Sequence, residues 1–477
     1  MPITVTVTGA AGVVHALSFD SAQTAQLAQQ LAGAINAAAA NQSLDAIDFP
    51  GPFSAAAGVN EAVIPPDAES GSYSGPDGFQ FIVDAAAVPV TVTAGISQTV
   101  LAGNTGLTVN ASGGNAVVLG GGNNLVNLAG DGNTVTFADG NNTVLAGSAT
   151  GSTINGGTGN VTMFGSSAGS TVFLSTGSNA IYAGGGDDTV ISGGGSDTIV
   201  GGGGAPLVFG NTGPLTFVAG LGASTVVGSA LATNQTLFGT DGSNLILTGE
   251  GNALYVAGTG NETFDASSTG GSLTAYGAAA GDSVTITAGL GDNTVVGSSG
   301  ATVVHGSLSS LVFVAGVGAS TVIASAQGPS PTLFGSAGSD IAYSGDGNAR
   351  YFAGSGNETL DASASAGHLT LFGAGSGAGA TITGGTGSDT FVGSTGTTDV
   401  TSGAGSNLFA FFAAAGGGVD FIRNFNASDR VLLSGYGANG IASSVSAGGN
   451  TTLTLTDSTT ITFAGLANLN PNQIIKT

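Results

Sequence analysis

The stretch YAGGGDDTVISGGGSDTIVGGGG, residues 182–204, repeats one arrangement twice in a nine-residue step. Asp188 and Asp197 each follow a cluster of glycines and precede a short apolar pair. Glycine accepts a positive φ at no steric cost, so each cluster predicts a tight turn. The three residues after each aspartate predict a short strand whose middle side chain, Val190 or Ile199, points inward.

The same spacing runs through NAVVLGGGNNLVNLAGDGNTVTFADGNNTV, with asparagine in the place of aspartate. The asparagines of this predicted structural ladder are Asn115, Asn124, Asn133 and Asn142. Two nine-residue steps complete one coil of about eighteen residues, and successive coils stack as parallel strands about 4.8 Å apart. We therefore expect Asn115 to stack on Asn133, and Asn124 on Asn142, in two hydrogen-bonded amide ladders.

A longer repeat is superimposed on the short one. TLFGTDGSN at Thr236 returns as TLFGSAGSD at Thr332, and GNETFDAS at Gly260 returns as GNETLDAS at Gly356. Both offsets are 96 residues, which is not a multiple of nine, so each long unit is expected to contain a slip or a loop. Repetition on both scales predicts an all-β fold built on a parallel β-solenoid, similar to a β-roll.

The composition divides the chain into three predicted segments. Residues 1–95 combine alternating strands with one helix and predict a small α/β head domain for capping, assembly or anchoring. Residues 96–405 are the glycine-rich solenoid with the nine-residue and 96-residue repeats. Residues 406–477 lose the short repeat and end in two alternating strands around a turn, which predicts a C-terminal β cap.

The predicted helix of the head domain is DSAQTAQLAQQLAGAINAAAAN. Asp20 or Ser21 can cap it, because a side-chain oxygen at that position accepts free N–H groups of the first turn. Leu27, Leu31 and Ile35 fall four residues apart and predict one apolar stripe.

The charge balance excludes several classes of function. Of 477 residues, 28 are acidic and four are basic, and the formal net charge is −24. Nucleic acid is not an expected partner, because phosphate binding needs clustered basic residues. No apolar run reaches the ~18 residues of a membrane span, and without cysteine no disulfide holds the fold. The four cations are Arg350, Arg423, Arg430 and Lys476.

Candidate catalytic groups are few. The paired carboxylates Glu262 and Asp265 recur as Glu358 and Asp361, and we interpret them as a polar turn or a further calcium site rather than as acid–base groups. No lysine, arginine or tryptophan precedes Arg350 in the solenoid to hold a sugar, so we expect no enzyme. The three histidines are isolated, no HExxH motif is present, and each is expected to be a surface or packing residue. They are His15, His305 and His368.

Residues 183–200 resemble two copies of the RTX calcium-binding nonapeptide, GGxGxDxUx. The first glycine of each copy is replaced, by Ala183 and Ser192. In that family, turn carbonyls and the aspartate carboxylate surround a Ca²⁺ between adjacent coils, and Ca²⁺ prefers six to eight oxygen ligands. The resemblance therefore implies Ca²⁺ as the cofactor. It implies metal-binding roles for Asp188, Asp197, Gly184, Gly186, Gly193, Gly195, Asn179 and Asp389.

The sequence departs from a tightly filled series of calcium sites. Ser170 lies eighteen residues before Asp188 and Pro206 lies eighteen after it, so no second aspartate is expected on the neighbouring coils. We expect one to a few ions and mostly metal-free coils. The alternative is that Asp188 and Asp197 are solvated turn residues, since turns favour aspartate.

The end of the chain also resembles type I-secreted RTX proteins. GGGVDFIRNFNASDRVLLSG is similar to the segment after their last repeats, and TTLTLTDSTTITFAGLANL is similar to their C-terminal export region. The start, MPITVTVTGAAGVVHALSFD, lacks the features of a signal peptide. The resemblance implies export by the type I secretion machinery of a Gram-negative bacterium and folding on external calcium.

These features predict a secreted, calcium-binding structural protein that self-assembles into an extracellular fibre, biofilm matrix or S-layer-like array. The expected partners are further copies of the chain, joined through head and tail domains. A cell-surface polysaccharide is a further candidate partner. The alternative is a cell-surface adhesin that binds glycans or other cells. Ice binding ranks lower because no regular TxT column is visible, and an enzyme acting on polysaccharide ranks last.

Overall fold

The predicted β-solenoid is confirmed in a computed structural model, together with a small N-terminal α/β region. One α-helix is present among the residues that the structure describes, which are 2–228, 234–325, 328 and 330–477. The chain forms two compact units, which are residues 1–237 with 244–249, and residues 238–243 with 250–477.

A hairpin and the helix open the first unit. Strands Ile3–Thr8 and Val14–Phe19 pair antiparallel, with a 3₁₀ turn at Ala10–Gly12 between them. The helix is Ala22–Ala40, and Ser21 is its cap, because its Oγ accepts the N–H of Thr24 at 3.4 Å.

The buried face of the helix differs from the predicted stripe. Its fully buried apolar side chains are Ala25, Ala28, Ala32, Ile35 and Ala38. Leu27 and Leu31 are only partly buried at the border of this face. Small side chains therefore bring the helix close to the sheet beneath it, which a search for leucine spacing could not reveal.

Two parallel sheets make up the rest of the first unit. Sheet A contains Leu44–Asp48, Val59–Ile64, Phe81–Asp84, Thr99–Ala102, Ala116–Leu119, Thr134–Phe137, Thr153–Asn155, Thr171–Phe173, Thr189–Ile191, Leu207–Phe209, Thr225–Val227 and Leu245–Leu247. Sheet B contains Ser72–Ser74, Val90–Ile96, Leu107–Gly113, Leu125–Leu128, Asn141–Leu145, Asn160–Phe164, Asn179–Tyr182, Asp197–Val200 and Leu215–Val218. The strand Asn234–Phe238 spans the boundary between the units.

The second unit has two sheets of the same kind. Sheet C contains Glu262–Asp265, Ser283–Thr287, Ala301–His305, Ser320–Ile323, Ile341–Tyr343, Asn357–Asp361, Gly379–Thr383, Thr397–Thr401, Val419–Arg423, Thr460–Ala464, Asn450–Leu455 and Ile441–Ala447, of which the last three are joined antiparallel. Sheet D contains Asn252–Val256, Leu273–Tyr276, Asn293–Val296, Leu311–Val314, Thr332–Phe334, Arg350–Phe352, Thr370–Phe372, Thr390–Val392, Leu408–Phe412, Arg430–Ser434 and Ile474–Lys476. Short 3₁₀ turns lie at Ala413–Ala415 and Pro471–Gln473.

The coil length and the inward side chains agree with the sequence interpretation. Val190 pairs with Val172 and Val208, each eighteen residues away, and is 0% exposed, as is Ile199. In sheet D, five coils separate Leu254 from Arg350, with lengths of 20, 20, 18, 20 and 18 residues. These two-residue insertions are the slips that the 96-residue repeat required.

Candidate metal centre

In the solenoid turns, an asparagine and an aspartate side chain can accept the same backbone hydrogen bond. The Oδ1 of Asn133 accepts the backbone N–H of Asn115 at 3.1 Å, and the Oδ1 of Asp188 accepts that of Ser170 at 2.8 Å. In each case the acceptor lies one coil after the donor. The side chain thus satisfies a backbone N–H at the entrance to a strand, which would otherwise be buried without a partner.

The four ladder asparagines are buried and bonded in the expected pairs. The Nδ2 of Asn115 donates to the Oδ1 of Asn133 at 3.2 Å, and that of Asn124 donates to the Oδ1 of Asn142 at 2.8 Å. Their exposed fractions lie between 0% and 3%. Because an amide both donates and accepts, these ladders need no ion to stack.

Asp188 is buried with one oxygen unused. Its side chain is 2% exposed, and its Oδ2 has no hydrogen-bond partner among the described residues. Burial raises the pKa of its carboxyl to about 6, against the lowering effects of the backbone N–H groups of Ser170 and Gly184, of which only the first makes a hydrogen bond of full geometry. The alternative of a solvated turn residue is therefore wrong for Asp188, whose unpaired oxygen is available to a cation.

Asp197 is equally buried, but both of its oxygens accept hydrogen bonds. Its Oδ1 accepts from the Nδ2 of Asn179 at 2.7 Å, and its Oδ2 accepts from the N–H of Gly193 at 3.0 Å and from the hydroxyl of Ser192. Burial still raises its pKa, although these bonds oppose the shift. Asp197 is not solvated either, and Asn179 lies beside it as the neutral partner that the coil spacing placed there.

The turn glycines are required for a reason other than positive φ. Gly184, Gly186, Gly193 and Gly195 are not among the residues with positive φ. A Cβ on Gly184 would instead collide with the carbonyl oxygen of Ser166, and one on Gly193 with that of Ser175, each one coil earlier. The expected explanation was therefore wrong: these positions are glycine because stacked turns lie too close for a side chain.

The same close approach lines the turns with carbonyl oxygens. The carbonyl of Gly184 accepts the N–H of Gly203 at 3.0 Å. The carbonyl oxygens of Gly186 and Gly195 face the glycine one coil later, and a Cβ there would collide with them. Stacked carbonyls are oxygen donors of the type that Ca²⁺ prefers.

These residues fit calcium at the turn of Asp188. Among the described residues, no group of three or more histidine, aspartate or glutamate side chains gathers to hold a metal. An ion would therefore take most of its ligands from the backbone, with the Oδ2 of Asp188 supplying negative charge. The oxygens of Asp197 already accept from three donors, so Asp188 is the better side-chain ligand of the pair.

Asp389 belongs to the second unit, apart from the other predicted ligands. It is 1% exposed, and its Oδ1 and Oδ2 accept the N–H groups of Leu369 at 3.0 Å and Gly385 at 3.1 Å. Burial raises its pKa. Residues 384–392, GGTGSDTFV, match every position of the nonapeptide, a signal that the sequence interpretation did not use.

The family model for the RTX calcium-binding nonapeptide repeat matches the chain four times, over residues 174–208, 229–263, 279–304 and 332–360. The chain is an RTX-repeat protein. The first match contains Asp188 and Asp197, and the repeats imply that the protein binds Ca²⁺. RTX repeats are characteristic of secreted proteins, and proteins built on them are typically structural or toxin-like rather than catalytic. No curated protein sequence matches the chain.

Two tyrosine–glutamate pairs recur in the RTX repeats, 96 residues apart. The hydroxyl of Tyr351 donates to Glu358 at 2.5 Å, and that of Tyr255 donates to Glu262 at the same distance. Each glutamate is 3% exposed, so neither lies at the surface of a polar turn. Burial raises the pKa of Glu358 to about 7, against the lowering effect of the bond from Tyr351.

Other buried carboxylates escaped the sequence interpretation. Glu61, Asp84 and Asp420 are at most 3% exposed, and each has an oxygen without a hydrogen-bond partner among the described residues. Burial raises the pKa of Glu61 to about 8, with the charge of Asp48 adding to the shift, and that of Asp420 to about 7. The available signal was an acidic residue inside an apolar strand, as in VNEAVI.

Proposed function

We propose that this RTX protein is a secreted, calcium-binding structural protein that assembles with copies of itself into an extracellular array. Calcium would neutralise buried turn carboxylates and stabilise the solenoid. Each ordered chain would then offer a strand edge to the next. Export by a type I system remains part of this proposal. No helix among the described residues has the length and apolar character to cross a membrane.

The observation that carries the assembly proposal is the outer strand of sheet C. Ile441–Ala447 pairs on one side with Asn450–Leu455, and no partner is present on its other side among the described pairings. Six of its seven residues are exposed. A strand edge offers a row of backbone donors and acceptors that a second chain can pair with.

This edge also lacks the usual protection. Proteins commonly block exposed edges with charged residues, above all lysine, or with proline. IASSVSA contains none of these, in a chain whose net charge is −24. The absence of charge removes the repulsion that would otherwise keep two copies apart at this site.

The test compares the purified chain with and without calcium by light scattering and negative-stain electron microscopy. The expected result is ordered assemblies in calcium and dispersed particles in a chelator. The variant Val445→Lys places a charge on the edge at a side chain that is 56% exposed, and it should stop assembly without unfolding the protein.

Leu221→Lys is the matched control, because Leu221 is 71% exposed and lies in a turn of the first unit that is not part of the edge strand. It adds the same charge and should leave assembly unchanged. Dispersed monomers in calcium at high protein concentration would overturn the assembly proposal. If both lysine variants assembled equally well, the contact between copies would lie outside Ile441–Ala447.

A further inference from the structure

One cationic side chain in the solenoid has no partner among the residues that the structure describes. Arg350 is exposed at the start of the strand Arg350–Phe352, and its guanidinium makes no hydrogen bond or ion pair with any described residue. The other three cations are engaged. Arg423 pairs with Asp399 at 2.6 Å, while Arg430 and Lys476 donate to backbone carbonyls.

Arg350 lines a groove of about 340 Å³ on the outer surface of the second unit. The groove takes residues from three successive coils, and no described carboxylate lines it. Its polar lining is Ser330, Thr332, Asn348, Arg350, His368 and Thr370. Hydroxyl, amide, imidazole and guanidinium groups thus converge at one site on an otherwise strongly acidic protein.

A hydrogen bond to the backbone fixes the side chain of Asn348 in the groove. Its Oδ1 accepts the backbone N–H of His368 at 2.7 Å, so its amide N–H groups remain available to a ligand. The ring Nδ1 of His368 lies 3.0 Å from the carbonyl oxygen of Ser388. The other ring nitrogen, Nε2, takes no part in this contact.

The 96-residue repeat shows that the fold does not require the charged residue. One repeat earlier, Asn252 takes the place of Asn348, and its Oδ1 accepts the N–H of Ser272 at 2.9 Å, the same bond as in the later copy. Leu254 and Ser272 stand where the later copy has Arg350 and His368. The same coils therefore form with leucine and serine at these two positions.

We propose that this groove binds a carboxylate-bearing oligosaccharide. A guanidinium holds a carboxylate through two parallel hydrogen bonds, and the neutral hydroxyl and amide groups around it suit a ligand rich in hydroxyls. The volume lies within the range of small-ligand pockets, whereas a protein partner would need a surface of about 800 Å². This inference goes beyond self-assembly and does not depend on it.

Isothermal titration of the full chain in calcium tests the proposal with a hyaluronan tetrasaccharide and its carboxyl-reduced, neutral counterpart. The acidic sugar should bind and the neutral one should bind at least about tenfold more weakly, as expected for the loss of a charge-assisted bond. Arg350→Leu should weaken binding of the acidic sugar by the same factor. His368→Ser should weaken it less.

Lys476→Gln is the control, because it changes the net charge by the same amount outside the groove. Arg350→Leu should keep the circular dichroism spectrum and melting temperature of the wild type, as the earlier repeat already contains leucine there. No binding by the wild type, or equal binding by Arg350→Leu, would overturn the proposal. The proposal would also fail if Arg350→Leu changed the light scattering of the protein but not its affinity for the sugar. That result would indicate that the groove is a contact between copies.

Discussion

Replacing Glu358 with glutamine removes a buried charge and can keep one of its two hydrogen bonds. The two carboxylate oxygens accept from the hydroxyl of Tyr351 at 2.5 Å and from the N–H of Gly354 at 2.7 Å. In Glu358→Gln, the amide oxygen can keep the bond from Gly354. The amide nitrogen can donate to Tyr351, because a hydroxyl also accepts. The hydroxyl hydrogen of Tyr351 then loses its acceptor, which costs about 1–3 kcal/mol at every pH and offsets part of the gain from removing the charge.

The effect on stability follows from the raised pKa. Burial shifts the pKa of Glu358 from 4.5 to about 7, so the folded state binds a proton more tightly than the unfolded state. This penalty is absent below pH 4.5, develops as the pH rises towards 7, and is complete above pH 7. Each pKa unit corresponds to about 1.4 kcal/mol. The stability of Glu358→Gln relative to the wild type should therefore be higher at pH 8 than at pH 4 by up to about 3 kcal/mol of free energy of unfolding.

Urea unfolding in saturating calcium, followed by circular dichroism at both pH values, measures this difference. Asp361→Asn is the control on the same strand, because hydrogen bonds from Ser363 lower the pKa of Asp361, and removing its charge brings no gain at pH 8. A variant of Glu358 that gains no stability relative to the wild type between pH 4 and pH 8 would refute the reasoning. A relative loss over this range in calcium, but not in a chelator, would show that the ionised glutamate holds a cation, the interpretation that the sequence had left open.

Three further outcomes are expected. Asp188→Asn should remove or weaken a bound calcium in isothermal titration, because the unpaired Oδ2 is lost while the bond to the N–H of Ser170 can persist. Gly193→Ala should lower the melting temperature strongly, because the new Cβ collides with a carbonyl one coil away, whereas Gly203→Ala, with the nearest atom at 3.7 Å, should lower it little. Asn133→Ala should cost about 1–3 kcal/mol in urea unfolding, because it leaves the N–H of Asn115 buried without its acceptor.

The regular part of the solenoid could be predicted because its spacing is visible in the sequence. Valines two residues after each asparagine fix the inward side chain, and a constant eighteen-residue coil fixes which residues stack. The strands between Leu44 and Ala102 also pair in parallel in sheet A, but their successive offsets are 15, 20 and 18 residues. A spacing that changes from coil to coil leaves no period in the sequence, so these strands could not be recognised as coils.

The burial of Glu61 could not be predicted because it depends on what covers the sheet. Val63 and Val83 lie in one apolar cluster with Phe19 of the hairpin and Ile35 of the helix. This cover buries the outer face of sheet A, so the strand that carries Glu61 is enclosed on both faces. Strand alternation predicts which residues share a face, but it does not say whether that face meets water.

The ladder positions predict which turns of the solenoid depend on calcium. Asn133 and Asp188 each accept a backbone N–H from the preceding coil, and asparagine does this without burying a charge. Aspartate makes the same bond, but burying its ionised carboxylate is unfavourable, as the raised pKa of Asp188 indicates. That cost is offset where a cation sits beside the carboxylate, or where donors surround it, as at Asp197. The coils of Asn115 to Asn142 should therefore be stable without metal, and the calcium dependence of folding should reside in the coils whose ladder residue is aspartate.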